Sequence, residues 1–223
     1  MNGEPIEHAD ARTPLTKARV LQAAMDIADE RGLDALTMRE LARRLGVEAA
    51  SLYNHVANKD EILDEMSDLI VGEIDLPTVD VGWRESMRRR AVSAREVFSR
   101  HPWGSSLIDS RERQGLARMS YTDAVLGTFL HAGFTPAMAM NSFLVLDGYI
   151  YGFVRQSADM SPGDGSDSID VAEEALAALS ADQYPNLTRV IVEHAGKVGF
   201  DQEAVFEFGL DLILDGLERS LGR

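Results

Sequence analysis

The stretch 36–59, LTMRELARRLGVEAASLYNHVANK, constrains the fold most, because it carries start and stop signals for two helices too short to be stable alone. Thr37 and Glu40 have capping-box spacing, in which each side chain satisfies a free backbone N–H at a helix start. Met38, Leu41, Ala42 and Leu45 give that helix an apolar side, and Gly46 stops it after barely two turns. A third short helix is expected from about Glu48 to His55, with Leu52 and Val56 facing inward. Asn58 and Glu61 repeat the cap pair and open a fourth helix that ends near Pro77, with the stripe Ile62, Met66, Leu69, Ile70 and Ile74. Two short helices joined through Gly46-Val47 suit a helix-turn-helix, whose turn needs a residue tolerating positive φ.

The flanking sequence is helical throughout. A first helix is expected over 14–31, capped by Thr13, with Val20, Ala24 and Ile27 on its stripe and Gly32 at its end. Beyond Trp83, residues 84–100 read as a helix with a heavily charged face, broken by His101-Pro102-Trp103. Helices follow over 113–132, over 136–156 capped by Thr135, over 171–179, over 185–196, and over 202–221 capped by Asp201. Residues 158–170 are a Gly/Ser/Asp/Pro loop. With no strand alternation and no repeat, the expected fold class is all-α: a three-helix helix-turn-helix domain plus a C-terminal helical bundle. The expected division is a disordered arm at 1–13, a DNA-binding domain at 14–58, a connecting helix at 59–77 and a C-terminal domain at 78–223.

Net charge is −15, but its distribution is uneven. Residues 1–60 hold 8 Lys+Arg against 10 Asp+Glu, while residues 61–223 hold 14 against 27, so phosphate binding remains open to the N-terminal part. With no cysteine, disulfides and thiolate metal sites are excluded, which fits a reducing cytoplasm. Residues 1–13 lack the apolar core of a signal peptide. The apolar run 136–154 is interrupted by Asn141, Ser142 and Asp147, and reads as a buried helix of a soluble bundle rather than a membrane span. The five histidines are scattered, and the chain has no Gly-rich phosphate loop, nucleophile elbow or HExxH, so it is not expected to be an enzyme.

In the third helix, Ser51, Tyr53, Asn54 and His55 can donate to phosphates or base edges, and Ala49 and Ala50 can lie against thymine methyls. Arg39 and Lys59, at the starts of the second and fourth helices, are placed for phosphate contacts. The combination of Thr-capped helix, Gly-Val turn, Leu-Tyr-x-His and x-Asn-Lys entry closely resembles the DNA-binding domain of the TetR family, as does KARVLQAAMDIADERGLDALT before it. The resemblance covers about residues 15–75. It implies DNA contacts from Arg39, Ser51, Tyr53, His55 and Lys59, with Glu48, Ala49 and Ala50 at the variable front of the recognition helix. Thr37 and Asn54 complete the expected DNA-binding set.

The C-terminal part is similar to the tetracycline-repressor-like branch at Trp83-Arg84, at His101-Pro102-Trp103, at the Gly133-Phe134 break and at LDGYIYG, residues 146–152. This implies a ligand cavity inside the bundle and a homodimer built through two helices per subunit. The last helix agrees: Phe206, Leu210, Ile213 and Leu217 form one apolar face, and Val205, Phe208 and Leu212 a second. Gly148 and Gly152 permit close helix approach. Candidate effector contacts are His101, Trp103, Tyr121, Phe129, Asn141, Phe143, Asp147 and Tyr151. No second and third ligand stands at metal-like spacing beside His101, so neither a metal nor a cofactor is expected. The expected function is a repressor that binds palindromic double-stranded operator DNA as a homodimer and is released by a small-molecule effector.

Overall fold

The computed structural model describes residues 14–112, 115–159, 183–195 and 201–222, and among them every regular element is helical. The helices are α1 (Lys17–Arg31), α2 (Met38–Leu45), α3 (Ala49–Leu52), α4 (Lys59–Gly72), α5 (Trp83–Arg100), α6 (Gly104–Ser110), α7 (Leu116–His131), α8 (Pro136–Asp159), α9 (Pro185–Val190) and α10 (Gln202–Ser220).

Local signals set most boundaries. Thr37 Oγ1 accepts from the Glu40 N–H at 3.1 Å and Asn58 Oδ1 from the Glu61 N–H at 2.9 Å, as their spacing requires. The first helix starts later than expected: Thr16, not Thr13, caps it, accepting from the Arg19 N–H at 3.3 Å. The fourth helix stops at Gly72 rather than near Pro77, because Glu73 and Ile74 turn their N–H groups back onto Ile70 and Val71. Helix α7 begins at Leu116, α8 runs on to Asp159, and α6 is an element the sequence reading did not anticipate. The expected short helix at 171–179, and most of the loop before it, lie outside the described residues.

Helices α1 to α4 share one core. Leu41, Leu52 and Ile62 are fully buried against Val20, Ala24 and Ile27. Gly46 closes the turn between α2 and α3 at φ 66°, ψ 32°. An L side chain in that region costs about 1–2 kcal/mol. Gly46→Ala is therefore expected to lower the melting temperature by about 2–8 °C. An unchanged melt would show that the turn does not need this geometry.

In the C-terminal part, α5 packs on α7 and α8, and α8 on α10. Trp83, Phe129 and Phe134 form an aromatic knot, with Phe129 and Phe134 edge to face at 5.0 Å. Helix α10 is held from two sides. Phe206, Leu210 and Leu214 are fully buried, and Phe206 stacks on Tyr149 at 5.4 Å. The charged face of α5 meets α10's acids: Arg84 reaches Asp215 at 2.5 Å and Glu218 at 3.3 Å, and Arg88 reaches Glu207 and Asp211. The expected close approach at Gly148 and Gly152 is not made among the described residues, where a Cβ at either would meet open space. The tight contact falls at Gly209 instead, because the Tyr149 hydroxyl, donating to the Phe206 carbonyl at 2.8 Å, occupies the space a Cβ would need. The apolar helix α8 is buried on one side only, with about a third of its most apolar window enclosed, which corrects the expectation of a buried helix.

Candidate DNA interface and ligand cavity

Capping by Thr37 and the left-handed Gly46 fix how α3 leaves α2. Leu52 and Val56 then anchor α3 to the core, so the rest of it faces outward. Thr37, Arg39, Glu48, Ala49, Ala50, Tyr53 and Asn54 are exposed, and Ser51, His55 and Lys59 are half-buried. All ten expected DNA contacts thus reach the surface, and Tyr53 is 55% exposed despite its large ring.

Pairing separates the cations of this region. Arg31 and Arg43 both bind Glu40, at 2.8 and 2.6 Å, and the Arg43 guanidinium, with Arg31 behind it, draws the Glu40 carboxyl down to about 2. Arg44 binds Glu30 at 2.6 Å, and Lys17 binds Glu61 at 2.9 Å and Glu65 at 3.0 Å. Arg39 and Lys59 form no ion pair among the described residues and present uncompensated charge beside α3. Glu40 is thereby held by arginines and does not complete the expected reciprocal cap of α2.

A cavity of about 550 Å³ lies between α4, α6, α7 and α8, within the range of small-molecule sites. Tyr121, Phe143, Asp147 and Tyr151 line it, together with Val71 of α4 and Arg118 of α7. Behind Asp147 lies Arg90, whose side chain is fully buried. Arg90 Nε donates to the Tyr121 hydroxyl at 2.6 Å and Nη2 to Asp147 Oδ1, while Nη1 has no hydrogen-bond partner. The Tyr151 hydroxyl lies 3.4 Å from Asp147 Oδ2, and burial pushes its pKa well up, so it stays a donor.

The other four expected effector contacts lie elsewhere. His101 Nδ1 is 2.7 Å from Asp29 Oδ1, and Trp103 Nε1 donates to the same oxygen at 2.8 Å, so both side chains tie the C-terminal part to α1. Phe129 is fully buried in the aromatic knot, and Asn141 is exposed on α8. Three functional candidates escaped the sequence reading. Arg90 falls in a helix expected to carry a heavily charged face, and its spacing from Trp83, Met87, Ala94 and Val97 puts it on the apolar stripe instead. Arg118 had no local signal. Asp68 of α4 accepts from the Ala117 and Arg118 N–H groups at 3.1 and 2.9 Å, capping α7 where α7 meets the cavity.

Comparison with known proteins agrees with this geometry. Residues 20–66 match the model of the bacterial regulatory proteins of the tetR family, and residues 76–221 match the tetracyclin repressor-like C-terminal domain. The chain is 32% identical to the HTH-type transcriptional repressor DrrR1 of Streptomyces coeruleorubidus, over 92% of this chain and 77% of that one. It is also 32% identical to the tetracycline repressor protein class A from transposon 1721 of Escherichia coli, over 93% and 92%. The crystal structure of the Streptomyces coelicolor TetR family protein ActR in complex with actinorhodin superposes with a TM-score of 0.78 at 29% identity, covering 95% of this chain and 100% of ActR. The two domain models and the full-length relatives thus match nearly the whole length described, and the chain belongs to the TetR family of transcriptional regulators.

Proposed function

We propose that this regulator is a homodimeric repressor in the cytoplasm, that it reads a palindromic operator through α3, and that a small molecule in the α4–α8 cavity releases it. In this reading residues 14–58 bind DNA, 59–77 transmit, and 78–223 hold the effector and pair the subunits. The protein acts by binding, without catalysis. The observation that carries the reading is the outward cluster around α3, where Arg39 and Lys59, in no ion pair among the described residues, accompany Tyr53 and His55.

Two such surfaces about 34–36 Å apart match successive major grooves. The cavity reaches α4 directly at Val71, and Asp68 fastens α4 to the start of α7. An effector that prefers a shifted α4 changes the spacing of the reading heads. It must bind that shifted state more tightly, since equal affinity for both shifts nothing.

Gel retardation with the DNA upstream of the gene tests the reading. Retardation by the dimer, relieved by a hit from a thermal-shift library, is expected; no retardation at low salt would overturn it. Tyr53→Ala is expected to weaken operator binding by about 1–3 kcal/mol, roughly 5- to 150-fold. Arg39→Ala should weaken it on all sequences and reduce the salt slope by about one. Effector affinity should stay unchanged in both, and a loss there would contradict the division of labour.

A further inference from the structure

Helix α1 carries, near its end, an acid that the helix itself does not favour. Asp29 lies in the last turn, at the negative end of the macrodipole, so partners outside the helix have to account for it. Those partners come from the C-terminal part. Asp29 Oδ1 accepts from Trp103 Nε1 at 2.8 Å and from His101 Nδ1 at 2.7 Å, the imidazole nitrogen donating because a carboxylate only accepts. On its other side, His101 Nε2 lies 3.6 Å from Glu73 Oε2, and Arg100 pairs with that same oxygen at 2.8 Å. The ends of α1, α4 and α5 thus meet in one polar cluster.

Beside this cluster the head is loosely seated. A cavity of about 420 Å³ opens between α1, α4 and α7, lined by Gln22, Met25, Leu69, His101 and Ala117. Packing therefore does little there to set the angle of α1. The covalent route from the head to the C-terminal part runs through α4. A head joined at one point can swing, and joined at two it keeps its orientation. The Asp29 contacts supply the second point. Trp103 also stands immediately before α6, whose Ile108 and Asp109 line the α4–α8 cavity.

We propose that Asp29 is a positioning residue for operator reading: held by His101 and Trp103, it fixes the α1–α3 head on the C-terminal part at the angle α3 needs. This rests on the reading of α3 as the DNA-binding helix. Fixing the head before contact removes an ordering cost that operator binding would otherwise carry. Because Trp103 leads into α6, a shift of α6 in the cavity wall reaches the head through Asp29 without passing through α4.

Gel retardation with the DNA upstream of the gene, and tryptophan fluorescence, both on the full chain, test the assignment. Asp29→Ala is expected to weaken retardation about tenfold, as the loss of hydrogen bonds to a charged group allows. Electrostatics alone gives the opposite sign, since deleting a negative charge from the head favours binding of a polyanion. Asp34→Ala, the same charge change on an exposed residue just beyond α1, should not weaken binding. The salt slope of Asp29→Ala should stay parental, because the phosphate contacts remain, whereas partial unfolding of the head would flatten it. Asp29→Asn keeps an acceptor and should restore most of the affinity. Trp103→Phe keeps a ring, loses one donor and should show part of the loss. The chain has two tryptophans, so in Trp83→Phe the emission belongs to Trp103, which is buried. Adding Asp29→Ala to that variant should raise its acrylamide quenching. Retardation by Asp29→Ala as tight as the parent's or tighter, a flattened salt slope, or unchanged quenching overturns the assignment and leaves the role of α3 standing. A parent chain that retards no DNA at low salt removes that role and the assignment together.

Discussion

Phe208→Glu is expected to give a helical, folded chain that sediments as a monomer and no longer retards operator DNA. Phe206, Leu210 and Leu214 point α10 into its own core, each fully buried, while Phe208 is 67% and Leu212 56% exposed on another side. On α8, packed alongside, Leu144 is 59% and Val145 52% exposed. Soluble monomers rarely leave such apolar stripes uncovered, and a two-fold pairing would bury both at once. Because Phe208 is exposed in the single chain, a glutamate there costs its fold little. In the dimer the axis brings in two copies of the charge. Losing one buried aromatic anchor costs about 2 kcal/mol or more, so two copies raise the dimer dissociation constant roughly a thousandfold or more. Operator affinity should fall with it, since a lone α3 holds one half-site. Sedimentation and gel retardation on the same sample check this. A dimer of unchanged strength would place the pairing surface elsewhere and remove the geometry on which palindromic reading depends.

What could be read from the sequence follows from how local each signal is. The caps at Thr37, Asn58 and Asp201 involve partners two or three residues away, so their spacing alone fixed them. The outward side of α3 was legible for the same reason, once Leu52 and Val56 were placed inside. Helix α6, seven residues long, has no side-chain cap to announce it. His101 and Trp103 were visible as a helix break, but their direction was not, because Asp29 lies 72 residues before His101. Tyr121, Phe143, Asp147 and Tyr151 reach the cavity, whereas Phe129, equally aromatic, is enclosed by Trp83 and Phe134. Residue type could not separate these cases, since packing across helices decides them. Arg90 is the sharpest case: its neighbours Arg88 and Arg89 are half-buried and exposed, and only its own register turns it inward.

Arg90→Met should be the most destabilising single change in the C-terminal part, and Asp147→Leu should restore most of what it removes. Arg90 is fully buried and Asp147 nearly so, and each neutralises the other. Deleting one partner leaves a charge without water or counter-ion, at a cost of about 3–5 kcal/mol. For a chain of this size that is a fall in melting temperature of roughly 6–20 °C, measured at one protein concentration because the proposed pairing would contribute to stability. Replacing both by apolar groups removes the desolvation penalty together with the attraction, so the double variant should melt near the parent. The unpartnered Nη1 makes this more pronounced, since the native pair already leaves one buried donor unsatisfied. The Tyr121 hydroxyl also loses its Arg90 donor contact in the single variant, which keeps the double variant from exceeding the parent by much. A pair so poorly suited to stability alone is better explained by what Asp147 offers the cavity. The double variant should therefore be stable yet altered in what the cavity binds. If the two single costs simply add in the double variant, the residues are not coupled, and Arg90 has no part in positioning Asp147.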